Sequence, residues 1–376
     1  MPLCPTSREV VGISARTGLH AAPHRTAYSL ARMHYSTVRR PYKFHVAADW
    51  AGKPPHRGLP PPKFSLPAHS PIVSWRDKSL SRLSLRSGSP LTAGEDFFLC
   101  TDVSVKRGIP IRSNRMPFRC SIIRYCAPTS NGVSLGVADG VGGWIEKGID
   151  SSMFSQALMY YAHAHLKNAW AGEPEIDPTV EAVDAAPGGV EMAPSECLRL
   201  AYNDVLADQS VPEGSSTGCL LTLNSATGIL RSANLGDSGF CVIRSSSMFY
   251  HSFPQTHYFN CPFQLCKEDL KGVRGRNVKK TDSIRDPPTL AQERDISLRD
   301  GDIVIVYTDG LTDNVFPAEI LAICSLSMGG QESETEQVQT IATHLVSYAR
   351  KCMFSDKVSP FQLDARRHKK YYMGGV

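Results

Sequence analysis

One stretch decides the fold, the sequence GVADGVGGW at Gly136–Trp144. The apolar run Val133–Ala138 predicts a buried strand, and Asp139 follows directly at its end. Because an unpaired charge is costly to bury, Asp139 needs either hydrogen bonds or a cation. The glycines after it let the chain turn sharply and leave backbone carbonyls open to a ligand. The stretch therefore predicts a metal site at a strand end.

Two other segments carry acidic residues next to apolar runs. The sequence GDIVIVYTDGLTDN at Gly301–Asn314 is a second apolar strand that ends in Asp309, and Glu95 and Asp96 precede the apolar Phe97–Leu99. Acidic strand ends that share a cleft repel one another unless a cation neutralises them. Oxygen ligands suit Mg²⁺ or Mn²⁺ better than zinc. The sequence thus predicts that distant acidic strand ends meet around a hard divalent ion.

The order of the motifs resembles a known family. In chain order they are Gly94–Asp96, Gly136–Trp144, Gly214–Thr217, Asn234–Gly239 and Thr308–Asn314. Together they resemble the type 2C metal-dependent Ser/Thr protein phosphatases. The segment HYFNCPFQL at His257–Leu265 is similar to the mitochondrial branch of that family, found in fungi and animals. The resemblance covers the chain from about residue 90 onward.

The resemblance implies roles for five residues. Asp139 corresponds to a carboxylate that bridges two metal ions, with the Gly140 carbonyl as a neighbouring ligand, and Asp309 to a ligand of the second ion. Asp96, together with Glu95, corresponds to an outer carboxylate of the site. Asp139 and Asp309 are thereby the expected catalytic residues. The implied reaction is hydrolysis of phosphoserine and phosphothreonine by a water that bridges two Mn²⁺ or Mg²⁺ ions.

The sequence departs from the family pattern at three places. Val141 occupies the position where many members carry a His, a candidate general acid, and the nearest basic residue before Glu95 is Arg86. The general acid and the residue that positions the phosphate are therefore unassigned. The resemblance also implies a further metal-binding Asp and a last core strand beyond Val376. Two interpretations stay open, a truncated active enzyme and a weak or inactive relative that binds phosphoproteins as a regulator.

Charge divides the chain of 376 residues into a basic lead and an acidic remainder. Residues 1–90 hold 14 Lys and Arg against three acidic residues, and the rest holds 27 against 33. Residues 1–45 are also rich in Ser, Thr and Ala, which predicts a mitochondrial transit peptide and a location in the matrix. The alternative is a disordered basic arm that binds nucleic acid. Prolines over 46–90 predict a disordered linker, which leaves 91–376 as the phosphatase domain.

Composition also limits the other classes of protein. The sequence contains no run of about eighteen apolar residues, so no transmembrane segment is predicted. The 11 Cys are an odd number without a Cys-x-x-Cys pair, which indicates buried thiols in a reducing compartment and not a disulfide framework or a zinc site. We predict no nucleic-acid partner. The resemblance implies phosphorylated mitochondrial proteins as partners, including the enzymes of coenzyme Q synthesis.

Periodicity predicts a layered α+β domain. Helical spacing is found near 150–170, 195–208 and after Ser333, and strand patterns near 217–223, 229–234 and 240–244. Helices with one apolar face beside antiparallel strands favour stacked layers. The resemblance implies a four-layer α-β-β-α sandwich of antiparallel sheets flanked by helices, without its last core strand.

Two sequences are typical of serine hydrolases and must be weighed. Ser216 lies in a G-x-S-x-G pattern, and Ser238 lies in the sequence GDSG at 236–239. A nucleophile elbow requires a helix after the serine, whereas the apolar Cys219–Leu223 that follows has strand character. A protease triad would also need a suitably placed His, and none is evident. We therefore predict that Ser216, Thr217 and Asp237 bond to backbone groups at turns beside the metal cleft.

Overall fold

The computed structural model describes residues 42–52, 62–83, 95–100, 132–170, 191–225, 227–268, 284–330 and 332–376. The helices are α1 Pro71–Leu83, α2 Ser152–Trp170, α3 Pro194–Ala207, α4 Asp309–Thr312, α5 Pro317–Ser327, α6 Glu334–Met353 and α7 Pro360–Arg367. The strands are β1 Asp96–Cys100, β2 Gly132–Asp139, β3 Gly214–Ser216, β4 Gly218–Asn224, β5 Ile229–Leu235, β6 Gly239–Arg244, β7 Ser247–His251, β8 Thr256–Tyr258, β9 Cys261–Pro262, β10 Leu265–Lys267, β11 Gln292–Ser297 and β12 Ile303–Tyr307.

Two antiparallel sheets form the centre of the domain. The larger has the order β1-β2-β4-β5-β11 and the smaller the order β12-β6-β7. Apolar side chains between the sheets include Leu221, Leu230 and Phe240, all nearly fully buried. This inner core holds the two sheets face to face, as the alternation of apolar residues along β4 and β5 requires.

Helices cover both outer faces of the sandwich. Against the larger sheet, α2 and α3 bury Phe154 and Leu198 beside Leu220. Against the smaller sheet, α5 and α6 bury Ile320 and Leu345 in a cluster with strand residues. The architecture is therefore a layered α-β-β-α sandwich, which confirms the predicted fold class.

Most elements lie within about two residues of their predicted positions. Helices α2 and α3, strands β4, β5 and β6, and the start of α6 all agree with the sequence patterns. The predicted capping box is present at α6, where Ser333 Oγ accepts a hydrogen bond from the Glu336 amide and Glu336 Oε2 accepts one from the Ser333 amide. These segments agree because local patterns and tertiary packing favour the same structure.

The predicted disordered linker over 46–90 is wrong for the residues that the structure describes. Within it, Ser70 directly precedes α1, and its Oγ accepts a hydrogen bond from the Val73 amide. Helix α1 buries Ile72 and Leu80 against α2. The prolines and basic residues around α1 favoured a linker in the sequence. The apolar face of α1 is evident only from its packing against α2. The predicted transit peptide lies largely outside the described residues, but its last residues, including Phe44, pack on the domain.

The segment 42–52 is fixed to two parts of the sandwich. Phe44 is buried between the sheets, and the His45 ring is 2.8 Å from Glu334 and 2.8 Å from Thr335 at the start of α6. The Trp50 ring packs on Phe98 of β1, with centroids 5.3 Å apart. Residues 42–52 thus belong to the folded domain and not to a linker.

We expect Phe44→Ala to lower the free energy of unfolding by about 3 kcal/mol, because it removes a fully buried ring from the inner core. The matched control is Phe64→Ala, since the Phe64 side chain is 55% exposed, and its effect should stay below about 1 kcal/mol. Urea unfolding of the full chain measures both. Equally small losses of stability in both variants would mean that burial of Phe44 contributes nothing to stability.

An apolar cavity of about 290 Å³ lies along one edge of β12. Its walls are the segment His45–Gly52, strands β1 and β12, and one face of α6. Among the described strands, β12 pairs with β6 alone.

No helix of the described ranges is long and apolar enough to cross a membrane.

Candidate metal centre

Strand pairing brings two of the predicted acidic residues together. Strands β1 and β2 are antiparallel, and their register sets Asp96 directly opposite Asp139. Asp96 begins β1 and Asp139 ends β2, so both side chains lie at the same edge of the larger sheet. Residues paired in this way have Cβ atoms about 5 Å apart. The local sequences predicted the strand ends, and the register makes them neighbours.

The third carboxylate comes from the other sheet. Asp309 is the first residue of α4, separated from the end of β12 by one residue, and its carboxyl lies close enough to Asp139 to raise the pKa of that carboxyl. Thr308 Oγ1 donates a hydrogen bond of 2.8 Å to Asp96 Oδ2, which ties the end of β12 to the start of β1. The site therefore spans both sheets of the sandwich.

Asp139 lies at the bottom of the cleft. Its surroundings raise the pKa of the carboxyl well above the usual range, first because burial removes water and then because Asp96 and Asp309 repel its negative charge. Its backbone is fixed by Thr217, whose Oγ1 accepts the Asp139 amide at 3.1 Å and whose amide bonds to the Asp139 carbonyl at 3.0 Å. The strand end is thus held firmly while the carboxylates repel.

Glu95 lies beside the three aspartates. Its carboxylate accepts a hydrogen bond of 2.9 Å from Ser151 Oγ and faces Gly142, and its carbonyl accepts the Gly140 amide at 3.1 Å. Ser155 Oγ donates to the same carbonyl at 2.6 Å. The start of α2 therefore positions the Glu95 backbone against the Gly140 turn. The predicted residues therefore lie close together where β1 and β2 meet the end of β12: Glu95, Asp96, Asp139, Gly140 and Asp309.

The position directly after Asp139 has no space for a side chain. A Cβ on Gly140 would lie 2.2 Å from the Ser151 carbonyl oxygen and 2.7 Å from that of Glu95. Backbone atoms cannot give way as a flexible side chain does, so only glycine fits here. The adjacent short 3₁₀ helix is anchored by Trp144, whose indole N–H donates a hydrogen bond of 2.7 Å to Ser215 Oγ.

The donor set suits a hard divalent cation. Three aspartates converge from two sheets with a backbone turn beside them, and carboxylate and carbonyl oxygens are the ligands that Mg²⁺ and Mn²⁺ prefer. Among the described residues, no three His, Cys, Asp or Glu side chains are already arranged to hold a metal ion, although Asp96 and Asp309 lie close enough to Asp139 to raise the pKa of its carboxyl. The fit is therefore one of chemistry and proximity.

Three residues of the site were assigned no role at the metal cleft by sequence reasoning. Thr308 precedes Asp309 directly, so its position next to a predicted ligand was a usable signal. Ser151 and Ser155 lie at the start of α2 and gave no signal, because only the packing of α2 against β1 brings them to Glu95. Val141 has an apolar side chain and cannot act as a general acid. Arg86, the nearest basic residue before Glu95, lies outside the described residues.

The two serines with hydrolase-like sequences are structural. Ser216 is the last residue of β3, is followed by strand β4 and donates to the Thr217 carbonyl. Ser238 Oγ lies 2.7 Å from Thr217 Oγ1. Both side chains are nearly fully buried, so neither serves as an exposed nucleophile. Ser216 and Thr217 bond to backbone groups as predicted, whereas Ser238 contacts a side-chain hydroxyl.

We expect Thr217→Val to lower stability by about 1 to 3 kcal/mol, since it leaves the buried Asp139 amide and Ser238 hydroxyl without their partner. Thr217→Ser keeps the hydroxyl and should recover most of the loss. Urea unfolding of the two variants and the parent protein measures this difference. A greater loss in Thr217→Ser than in Thr217→Val would show that the methyl group, and not the hydrogen bond, matters.

Comparison with known proteins decides the family. No protein-family model matches the chain. The protein phosphatase PTC7 homolog fig of Drosophila willistoni is 35% identical over 253 residues, which are 67% of this chain and 71% of that protein. This chain belongs to the type 2C protein phosphatases, in the group of PTC7 homologs.

Further relatives agree with this family. The PTC7 homolog fig of Drosophila melanogaster is 33% identical over 244 residues, covering 64% of this chain and 68% of that protein. The X-ray structure of the photosystem II phosphatase PBCP is 25% identical with a TM-score of 0.50, covering 73% of this chain and 80% of that one. The type 2C fold of this chain and its class, protein phosphatase, follow from this kinship.

Proposed function

We propose that this type 2C phosphatase hydrolyses phosphoserine and phosphothreonine in mitochondrial proteins, with two Mn²⁺ or Mg²⁺ ions at the cleft of Asp96, Asp139 and Asp309. One observation carries the proposal, the register that sets Asp96 opposite Asp139 with Asp309 beside them. Such a concentration of negative charge destabilises the fold unless cations neutralise it. Kinship with protein phosphatases supports the choice of substrate class.

The residues divide the work at the cleft. Asp139 and Asp309 would hold the ions, Asp96 would complete the carboxylate set with Glu95 beside it, and the Gly140 carbonyl would add a neutral ligand. When bound, divalent cations neutralise phosphoryl charge and lower the pKa of a water that attacks phosphorus. Thr308 orients Asp96, and Thr217 fixes the Asp139 backbone. Because the water itself is the nucleophile, the proposal needs no activated Ser or Cys.

The location and the physiological substrates are part of the same proposal. The basic, Ser- and Ala-rich residues 1–45 support import into the mitochondrial matrix. Matrix phosphoproteins, including enzymes of coenzyme Q synthesis, are the substrates that the family resemblance implies. Fusion of residues 1–45 to a fluorescent protein tests the targeting, and a diffuse cytosolic signal would contradict it.

The activity is tested with the purified full chain and a phosphothreonine peptide. We expect phosphate release that requires added Mn²⁺ or Mg²⁺ and stops when a chelator removes the ion. Calorimetric titration with Mn²⁺ gives a readout that does not depend on turnover. Binding of the phosphopeptide without any metal-dependent hydrolysis would favour the alternative, a regulatory relative that binds phosphoproteins.

A further inference from the structure

The end of α7 carries a concentrated positive charge. The five residues Arg366–Lys370, with the sequence RRHKK, are all exposed, and we name them the α7 basic patch. The chain reverses there, since Lys369 has a φ of 57° and the Lys370 amide bonds to the Ala365 carbonyl at 2.8 Å. The exposed side chains of Tyr371 and Met373 follow. The patch is therefore a compact surface and not an extended tail.

The positive charge of this patch is largely uncompensated. Asp364 is the one carboxylate near it in the described part of the chain, 4.0 Å from an Arg367 nitrogen and 3.5 Å from His368 Nδ1. Arg366, Lys369 and Lys370 form no ion pair with any carboxylate among the described residues. A surface with several cations and one anion attracts acidic groups, and clefts beside it gain local substrate concentration.

Helix α7 is attached directly to the candidate metal centre. The Phe361 amide in its first turn donates a hydrogen bond of 3.1 Å to the Asp313 carbonyl. The Asp313 amide in turn bonds to the Asp309 carbonyl at 2.7 Å, so Asp313 ends the helical turn that Asp309 begins. From Phe361 to Arg367 the helix rises about 9 Å. With one further helical turn to Asp309, the patch lies within about 20 Å of the carboxylates.

A hairpin fixes the patch from its other side. The Phe259 ring, at the turn between β8 and β9, packs 5.2 Å from Phe361 and 5.3 Å from His368, centroid to centroid. The base of the same hairpin is bound to Gly236, which exchanges hydrogen bonds with Gln255. Gly236 in turn packs against Thr217, the residue that holds the Asp139 backbone. The patch therefore has a defined position in the fold relative to the carboxylates.

We propose that the α7 basic patch binds acidic side chains of the phosphoprotein substrate while its phosphorylated residue occupies the metal cleft. This inference rests on the proposed function. An extended peptide advances about 3.3 Å per residue, so a distance of about 20 Å corresponds to acidic side chains within about six positions of the phosphorylated residue. The patch consists of five exposed residues, and this small size favours a substrate segment over a membrane or a nucleic acid, which would need a broad exposed face. The patch thus sets a preference for acidic sequences.

The test compares two phosphothreonine peptides that differ only in having Glu or Ser at three positions within this range. We expect the parent enzyme to prefer the acidic peptide about tenfold in kcat/KM, because three exposed charge pairs together contribute about this much. The preference should be lost at high salt. The variant R366Q/R367Q/K370Q leaves the strained Lys369 in place and should raise KM for the acidic peptide about tenfold with kcat unchanged. Its hydrolysis of p-nitrophenyl phosphate should stay at the parent value, because that substrate does not reach the patch.

The matched control is K78Q/K167Q, which removes exposed positive charge on α1 and α2, away from α7, and should keep the preference. Equal kcat/KM for both peptides in the parent enzyme would overturn the proposal. So would binding to phosphatidylglycerol vesicles that is lost in the triple variant while peptide preference is unchanged. If the parent protein does not hydrolyse p-nitrophenyl phosphate, the proposed function fails, and fluorescence anisotropy with the acidic peptide still tests the patch. Equal affinity of parent and triple variant would then refute it.

Discussion

Asp139→Asn is expected to reduce metal-dependent hydrolysis of a phosphothreonine peptide at least about a thousandfold, since it removes several kcal/mol of stabilisation that the bound ions supply. The neutral amide cannot replace the carboxylate that lies between Asp96 and Asp309. The substitution should leave the ion-free fold intact or more stable, because the partly buried Asp139 lies beside two like charges. Initial rates at saturating Mn²⁺ measure the first effect, and urea unfolding the second.

Metal binding distinguishes this explanation from general damage. The parent protein at a hundredfold excess of Mn²⁺ over its dissociation constant should gain about 2.7 kcal/mol of stability, and Asp139→Asn should gain far less. The exposed Asp356→Asn serves as the control and should behave as the parent. Retention of full turnover by the Asp139→Asn variant with added Mn²⁺ would refute the proposed role of this carboxylate.

Gly140→Ala is expected to lower activity about a hundredfold, because a displacement of about 1 Å at a catalytic group has this effect. The new Cβ would lie 2.2 Å from the Ser151 carbonyl oxygen, so the backbone around Asp139 must shift. Overpacking of this kind also lowers stability by about 1 to 3 kcal/mol. Rates with the phosphopeptide and calorimetric titration with Mn²⁺ measure the two consequences at the site.

Gly143→Ala is the matched control for this change. A Cβ at Gly143 meets no atom within 4 Å, so the same chemical change three residues later should alter stability by less than about 0.5 kcal/mol and leave activity unchanged. If both glycine variants lose activity to the same extent, flexibility of the whole turn matters and the contact with Ser151 does not.

Much of the fold could be read from the sequence because its signals are local. Apolar runs that end in Asp139 and Asp309, and the capping box at Ser333, each depend on residues a few positions apart. Such patterns fix where strands and helices begin and end. They also indicated which carboxylates belong to the site. The metal-ligand roles themselves stay predictions that the substitutions above test.

Other features depend on residues far apart in the chain, which local patterns do not encode. The segment 46–90 was predicted to be a disordered linker because of its prolines, yet Ile72 and Leu80 are buried once α2 lies beside them. Phe44 gave no signal for the same reason, since its partners are strands far later in the chain. Burial that arises from distant contacts cannot be inferred from composition.

The sequence by itself determined that acidic residues lie at the ends of three apolar segments, since a carboxylate next to an apolar run has no other stable place than a strand end or a cleft. Only the tertiary structure decided that Asp96 faces Asp139 in one register and that Asp309 arrives from the second sheet. It also decided that the basic residues of α7 have a fixed position relative to these carboxylates, through the contacts of α7 with Asp313 and Phe259. The reason is physical: a strand end is specified by neighbours along the chain, whereas register and docking follow from burying both sheet faces at once.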